Sequence, residues 1–208
     1  MRVFFPQESP KDFSSFIIAF EFVQTPDEVT NLFKLLDPDP AKTDTLSAAE
    51  KITGLNIGNY VDFAFMLVYS LFLFFYFKKA ADYFGLKWLR LALPLAALAF
   101  ICDFAENICL LNITDAYVHQ TEMGGSIAML PYFVWTKWLS LAVLLALGSI
   151  AFLHGRKLIT KLLAFVLILP VLLGIMALIS QAGTMIDGFT VSIFIGLLIL
   201  LLSCFWLE

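Results

Sequence analysis

Asp62, Asp103 and Lys137 are ionisable side chains inside three successive apolar runs, and their spacing puts them at one depth. Asp62 stands about 15 residues from Phe77, where the first run meets Lys78-Lys79. Asp103 stands about 15 residues from Trp88, just after Lys87, and Lys137 about 15 residues from Phe152, shortly before His154, Arg156 and Lys157. At ~1.5 Å of rise per residue, all three lie roughly 22 Å from the basic edge of a ~30 Å hydrocarbon layer. Charge at that depth is costly and faces a partner or a water-filled cavity. Two carboxylates and one ammonium at one level are therefore expected to form one site.

The densest polar motif is Asp103-Phe104-Ala105-Glu106-Asn107. On a helix, positions i, i+3 and i+4 share a face, so Asp103, Glu106 and Asn107 project together. Two carboxylates one turn apart in a low dielectric repel each other, and a cation at their level relieves that repulsion. Lys137 supplies one cation, while Asp62 adds a third acid if the first two spans pack together. Three acids against one base leave negative potential suited to binding a cation or relaying protons. Phe133 follows the i, i+4 spacing with Lys137, and Trp138 lies a quarter-turn away, so these two rings could wall a site for an organic cation. Tyr132 and Trp135 are expected in an outer aromatic belt, with Trp135 facing lipid opposite Lys137.

The elements that position these groups are read from hydropathy. Of 208 residues, 61% are hydrophobic and 14% charged, with 22 Phe and a mean hydropathy of +0.89. Soluble domains carry roughly 25% charged residues. The expected fold class is an all-α integral membrane protein, a bundle of about five transmembrane helices. The spans are predicted at about 58–77, 88–111, 130–153, 162–181 and 188–207. Residues 58–208 form this bundle, and residues 1–57 an extracytoplasmic N-terminal cap segment. Gly85 is placed to cap the end of the first span, and Pro94 and Pro170 to kink the second and fourth.

Within the cap segment, Thr25-Pro26-Asp27-Glu28 reads as a helix start and Ser47-Ala48-Ala49-Glu50 as a second capping box. Val29, Leu32, Phe33 and Leu36 share one face of a short amphipathic helix that stops at Asp37-Pro38-Asp39-Pro40. Phe13, Phe16, Ile17, Ile18 and Phe20 need burial, which favours a cap packed over the bundle rather than a solvated tail. The run from Phe13 to Val23 is broken by Glu21 and lacks the basic start and cleavage site of a signal peptide.

Lys78, Lys79, Lys87 and Arg90 fill one short link, and Arg156, Lys157 and Lys161 another. The alternate links hold only Asp115, Glu122 and Asp187. The positive-inside rule then places the N-terminus outside and the C-terminus in the cytoplasm, in what is expected to be a bacterial inner membrane. The basic residues sit beside apolar spans, so nucleic acid is not an expected partner. The expected partners are the lipid bilayer, a small cation or lipid ligand, and further copies of the chain, with Gly174 and Gly196 as a candidate oligomer face. Cys102, Cys109 and Cys204 lie in apolar spans and suggest no disulfide framework. His119 and His154 fall on opposite sides, so no metal centre and no cofactor is implied.

Three functions compete. Transport or conduction of a cation or protons uses Asp62, Asp103, Glu106, Asn107 and Lys137. An intramembrane enzyme acting on a lipid, the reading with least support, would use Asp103 and Glu106 as acid and base. A non-catalytic module would use the polar layer only to lock helices, with the cap binding a partner protein.

Overall fold

The computed structural model describes residues 12–36, 47–153 and 158–204, and these are all-helical. The elements are α1 (Phe16–Glu21), α2 (Pro26–Lys34), α3 (Ala48–Tyr83), a 3₁₀ turn (Lys87–Leu91), α4 (Ala92–His119), α5 (Gly124–Leu153), α6 (Leu158–Ser180) and α7 (Gly183–Ser203). Among the described residues five helices are long and apolar enough to cross a membrane: α3, the 3₁₀ turn with α4, α5, α6 and α7. Arg156, Lys157 and the Asp37–Pro40 helix stop lie outside the described residues.

The local signals account for the helix starts. The Thr25 hydroxyl accepts from the Glu28 N–H at 3.2 Å, and the Glu28 carboxylate accepts from the Gln24 N–H at 2.7 Å. Pro26 opens the first turn, where its missing N–H costs nothing. Ser47 and Glu50 close a reciprocal box, with N–H bonds of 3.3 and 2.8 Å. Past Tyr83 the chain turns at Gly85, whose φ of 68° suits a residue without Cβ. Pro94 sits in the first turn of α4, just after the 3₁₀ turn, rather than in mid-helix.

The helices outrun the apolar stretches that announce them. α3 has 36 residues, about 54 Å of helix, nearly twice the hydrocarbon thickness. The link expected over residues 112–129 shrinks to residues 120–123, because Ile113, Ala116, Ile127 and Leu130 continue the buried spacing on either side.

The chain divides into two compact units, residues 1–67 with 102–134, and residues 68–101 with 135–208. α3, α4 and α5 each contribute to both. In the first unit α1 and α2 pack together: Phe16 and Phe20 lie 6.3 and 5.2 Å from Phe33, ring centre to ring centre. Val29, Leu32, Phe33 and Leu36 are buried, as their shared face requires. Phe33 meets the ring of Tyr117, near the end of α4, edge-on at 4.7 Å. Lys51 on α3 is buried, and its Nζ donates to the Leu36 carbonyl at 2.9 Å. A cation there also complements the negative C-terminal end of α2. Lys51→Met is expected to weaken this attachment by about 1.5–3 kcal/mol, the range for a hydrogen bond to a charged group. Amide exchange should quicken across α1 and α2 and stay unchanged in α6 and α7; uniform exchange would show that Lys51 does not hold the N-terminal helices.

In the second unit α6 and α7 form a tight hairpin through Gln181, at φ 52°, and Ala182. Gly174 lets α6 approach, since a Cβ there would lie 2.8 Å from the Phe189 ring. Trp135 stacks on Phe189 at 6.3 Å, and Trp138 contacts Phe189 and Phe194 at 6.4 and 5.8 Å. Trp135 therefore packs on α7 rather than facing lipid. The expectation assumed one buried face on α5, whereas its apolar stretch is the most buried of the five. Tyr132 is exposed, as an interfacial ring would be.

Candidate functional site

The first unit carries a seam of polar side chains between α3 and α4. Asn56, Asn59 and Asp62 recur every three residues on α3, so they form one stripe. Asp103, Asn107 and Thr114 fall on one face of α4 by their spacing of four and seven, with Glu106 beside them. Two rungs join the helices. The Asn107 amide donates to the Asp62 carboxylate at 2.7 Å, and the Thr114 hydroxyl donates to the Asn56 side-chain oxygen at 2.8 Å.

Two of the three acids in the seam are almost wholly buried. Asp103 is 3% exposed, Glu106 1% and Asn107 3%, while Asp62 and Asn56 are half-buried. Between the rungs the Asn59 amide nitrogen is buried with no hydrogen-bond partner among the described residues. Phe63 and Phe104, the neighbours of the two aspartates, meet edge-on at 5.2 Å and flank the seam with apolar surface. From Asp103 to Thr114 the polar face rises about 16 Å, more than half of a ~30 Å hydrocarbon layer.

The structure thus brings together Asp62 and Asn107, and it buries Asp103 and Glu106 on the same stretch of α4. It pairs Asp62 with Asn107, one turn along α4 from the Asp103 level given by counting from the basic edge. The cause is where the hairpin turns. Asp62 lies 23 residues before Gly85 and Asn107 22 residues after it, whereas the count began at Phe77 and Trp88. Lys137 belongs to the second unit, where it is 5% exposed and its Nζ rests 4.6 Å from the centre of the Trp138 ring. That face of Trp138 is taken up by the chain's own ammonium, and other parts of the indole by Phe189 and Phe194. Phe133 belongs to the first unit and is half-buried. Gly174 and Gly196 both serve packing inside the chain, a Cβ at Gly196 falling 2.5 Å from Leu145. Among the described residues no cluster of His, Cys, Asp and Glu suited to a metal ion occurs.

Asn56, Asn59 and Thr114 were missed by sequence reasoning because they lie at or beyond the edge of the apolar runs. The signal was present as a three-residue period of polar side chains leading into Asp62. Thr114 also completes an Asn-x-Thr triplet, but its hydroxyl is buried and bonded within α4 and to Asn56. The Asn56–Thr114 rung gives a measurable expectation. Thr114→Val and Asn56→Ala should each destabilise, and their double-mutant cycle should return a coupling of about 0.6–1.7 kcal/mol, as for hydrogen bonds between membrane helices. Additive effects would show the rung contributes nothing.

Fold and seam define the class: an all-helical, multi-pass membrane protein with acidic groups buried inside its spans. No family model matches the chain, and no curated protein or solved structure does.

Proposed function

We propose that this protein moves a cation or protons across the membrane, with Asp62, Asp103, Glu106 and Asn107 as the groups that bind or relay it. The observation that carries the reading is the near-complete burial of Asp103 and Glu106 within a seam of hydrogen-bonding groups on a membrane-crossing helix. Ionisable groups at such positions mark ion pathways and proton relays. Carboxylates can carry protons or balance the charge of a passing cation, and Asp62, Asp103 and Glu106 supply three of them in the first unit. The basic Lys78, Lys79, Lys87, Arg90 and Lys161 favour an orientation with the C-terminus in the cytoplasm. In that orientation α1 and α2 lie outside, near the Asn56–Thr114 end of the seam, and the proposed host is a bacterial inner membrane.

A second reading rests on the rungs themselves. The Asp62–Asn107 and Asn56–Thr114 bonds hold α3 against α4 and would serve a purely architectural layer equally well. Purified protein in proteoliposomes separates the two. With an imposed membrane potential and a trapped pH dye, proton entry should exceed that of empty vesicles, or sodium or potassium flux should. No flux of any of the three would leave the architectural reading.

A further inference from the structure

The end of α3 opposite the seam carries a different kind of site. Phe72, Phe75, Tyr76, Lys79, Ala80, Tyr83 and Phe84, with Cys204 from the end of α7, line a half-open slot of 230 Å³ in the second unit. Among the described residues its walls are apolar and aromatic, and Lys79 supplies the one formal charge. Lys79 is exposed and makes no ion pair among the described residues, while Asp82, three residues on, pairs with Arg90 at 2.7 Å. The slot also lies where the apolar run of α3 gives way to Lys78-Lys79, the level at which headgroups meet acyl chains. Within its wall Tyr76 is 8% exposed, its hydroxyl beside that of Ser203, which donates to the Leu200 carbonyl.

We propose that this slot binds an anionic phospholipid, one acyl chain lying along the aromatic wall and the headgroup phosphate on the Lys79 ammonium. An apolar slot with one unneutralised cation at its rim matches a molecule with a long apolar body and a negative head. A zwitterionic lipid offers the same phosphate but brings its own cation, which competes with the Lys79 ammonium for it, and a soluble anion leaves the aromatic surface uncovered. Basic pockets at the ends of membrane helices recognise such headgroups by the same logic.

Cys204 supplies the reporter, since it lines the slot and is exposed, whereas Cys102 and Cys109 are buried. The full chain is reconstituted in vesicles of phosphatidylcholine alone, or with one third phosphatidylglycerol, and the rate of maleimide labelling at Cys204 is measured. Lipids retained by the detergent-purified protein are identified in parallel by native mass spectrometry. Phosphatidylglycerol should slow Cys204 labelling and be retained over phosphatidylcholine. Lys79→Gln should reduce that preference roughly fivefold, the effect of one lysine near an anionic surface. Lys78→Gln removes the same charge one residue away, outside the slot, and should leave the preference intact. Filling the slot with Ala80→Leu should remove lipid retention with Lys79 still present. Equal loss of preference in both lysine variants would reduce the effect to general surface charge and overturn the site. Labelling equally slow in both vesicles would assign the slot to a neutral acyl chain or to residues 205–208 of the chain itself, and would also overturn it.

Discussion

Asp103→Asn is expected to cut cation or proton flux at least about tenfold while leaving the protein folded. The asparagine is nearly isosteric and keeps one hydrogen-bond acceptor, so packing around a side chain that is 3% exposed changes little. What disappears is the negative charge and the ability to carry a proton. An interaction with a charged group is worth about 1.5–3 kcal/mol, which corresponds to a factor of ten or more in occupancy. Glu106→Gln should act in the same direction, since Glu106 is buried on the same helix one turn away. Asn112→Ala, at an exposed position of α4, should change nothing. The measurements are initial flux in proteoliposomes and the melting temperature of each variant in detergent. Wild-type flux from both acid variants would move the pathway away from the seam. Unfolding of both would give the acids an architectural role instead.

Gly196→Leu should destabilise the second unit by about 3 kcal/mol, at the upper end of the usual cost of overpacking. A Cβ at position 196 would stand 2.5, 3.0 and 3.2 Å from Cδ1, Cδ2 and Cγ of Leu145. Rotating the Leu145 methyl groups cannot relieve contact with its Cγ, and Leu145 is completely buried. The two helices must therefore separate or Leu145 must leave its rotamer. Better helix propensity returns under 1 kcal/mol and does not reverse the sign. The check is chemical denaturation in detergent micelles, with Gly188→Leu as the control, because a Cβ at Gly188 meets nothing within 4 Å. Pairing Gly196→Ala with Leu145→Val should recover part of the loss of Gly196→Ala alone, as expected for residues in contact. Equal stability of Gly196→Leu and Gly188→Leu would refute the close approach.

Membrane class, five spans and both N-terminal capping boxes were legible in the residues. Each depends on short-range patterns: runs of about 20 apolar residues, or an oxygen three positions from an acid. The buried face of α2 was legible for the same reason. The ends of the spans were less so. Hydropathy falls at Asn56 and Asn112, yet α3 and α4 continue past both, with the Asn56–Thr114 bond joining the two helices there.

What the sequence determined by itself was which groups the bilayer would force to find company: Asp62, Asp103, Glu106, Asn107 and Lys137 each interrupt an apolar run, and that cost is local. Which group each meets was decided by tertiary structure. The register of α3 against α4 depends on the turn at Gly85, and a shift of one helical turn exchanges Asp103 for Asn107 as the partner of Asp62. Trp135 likewise packs on Phe189 because Gly174 admits that ring, a relation between residues far apart in the chain. Depth follows from counting residues along one helix; partnership follows from the packing of several.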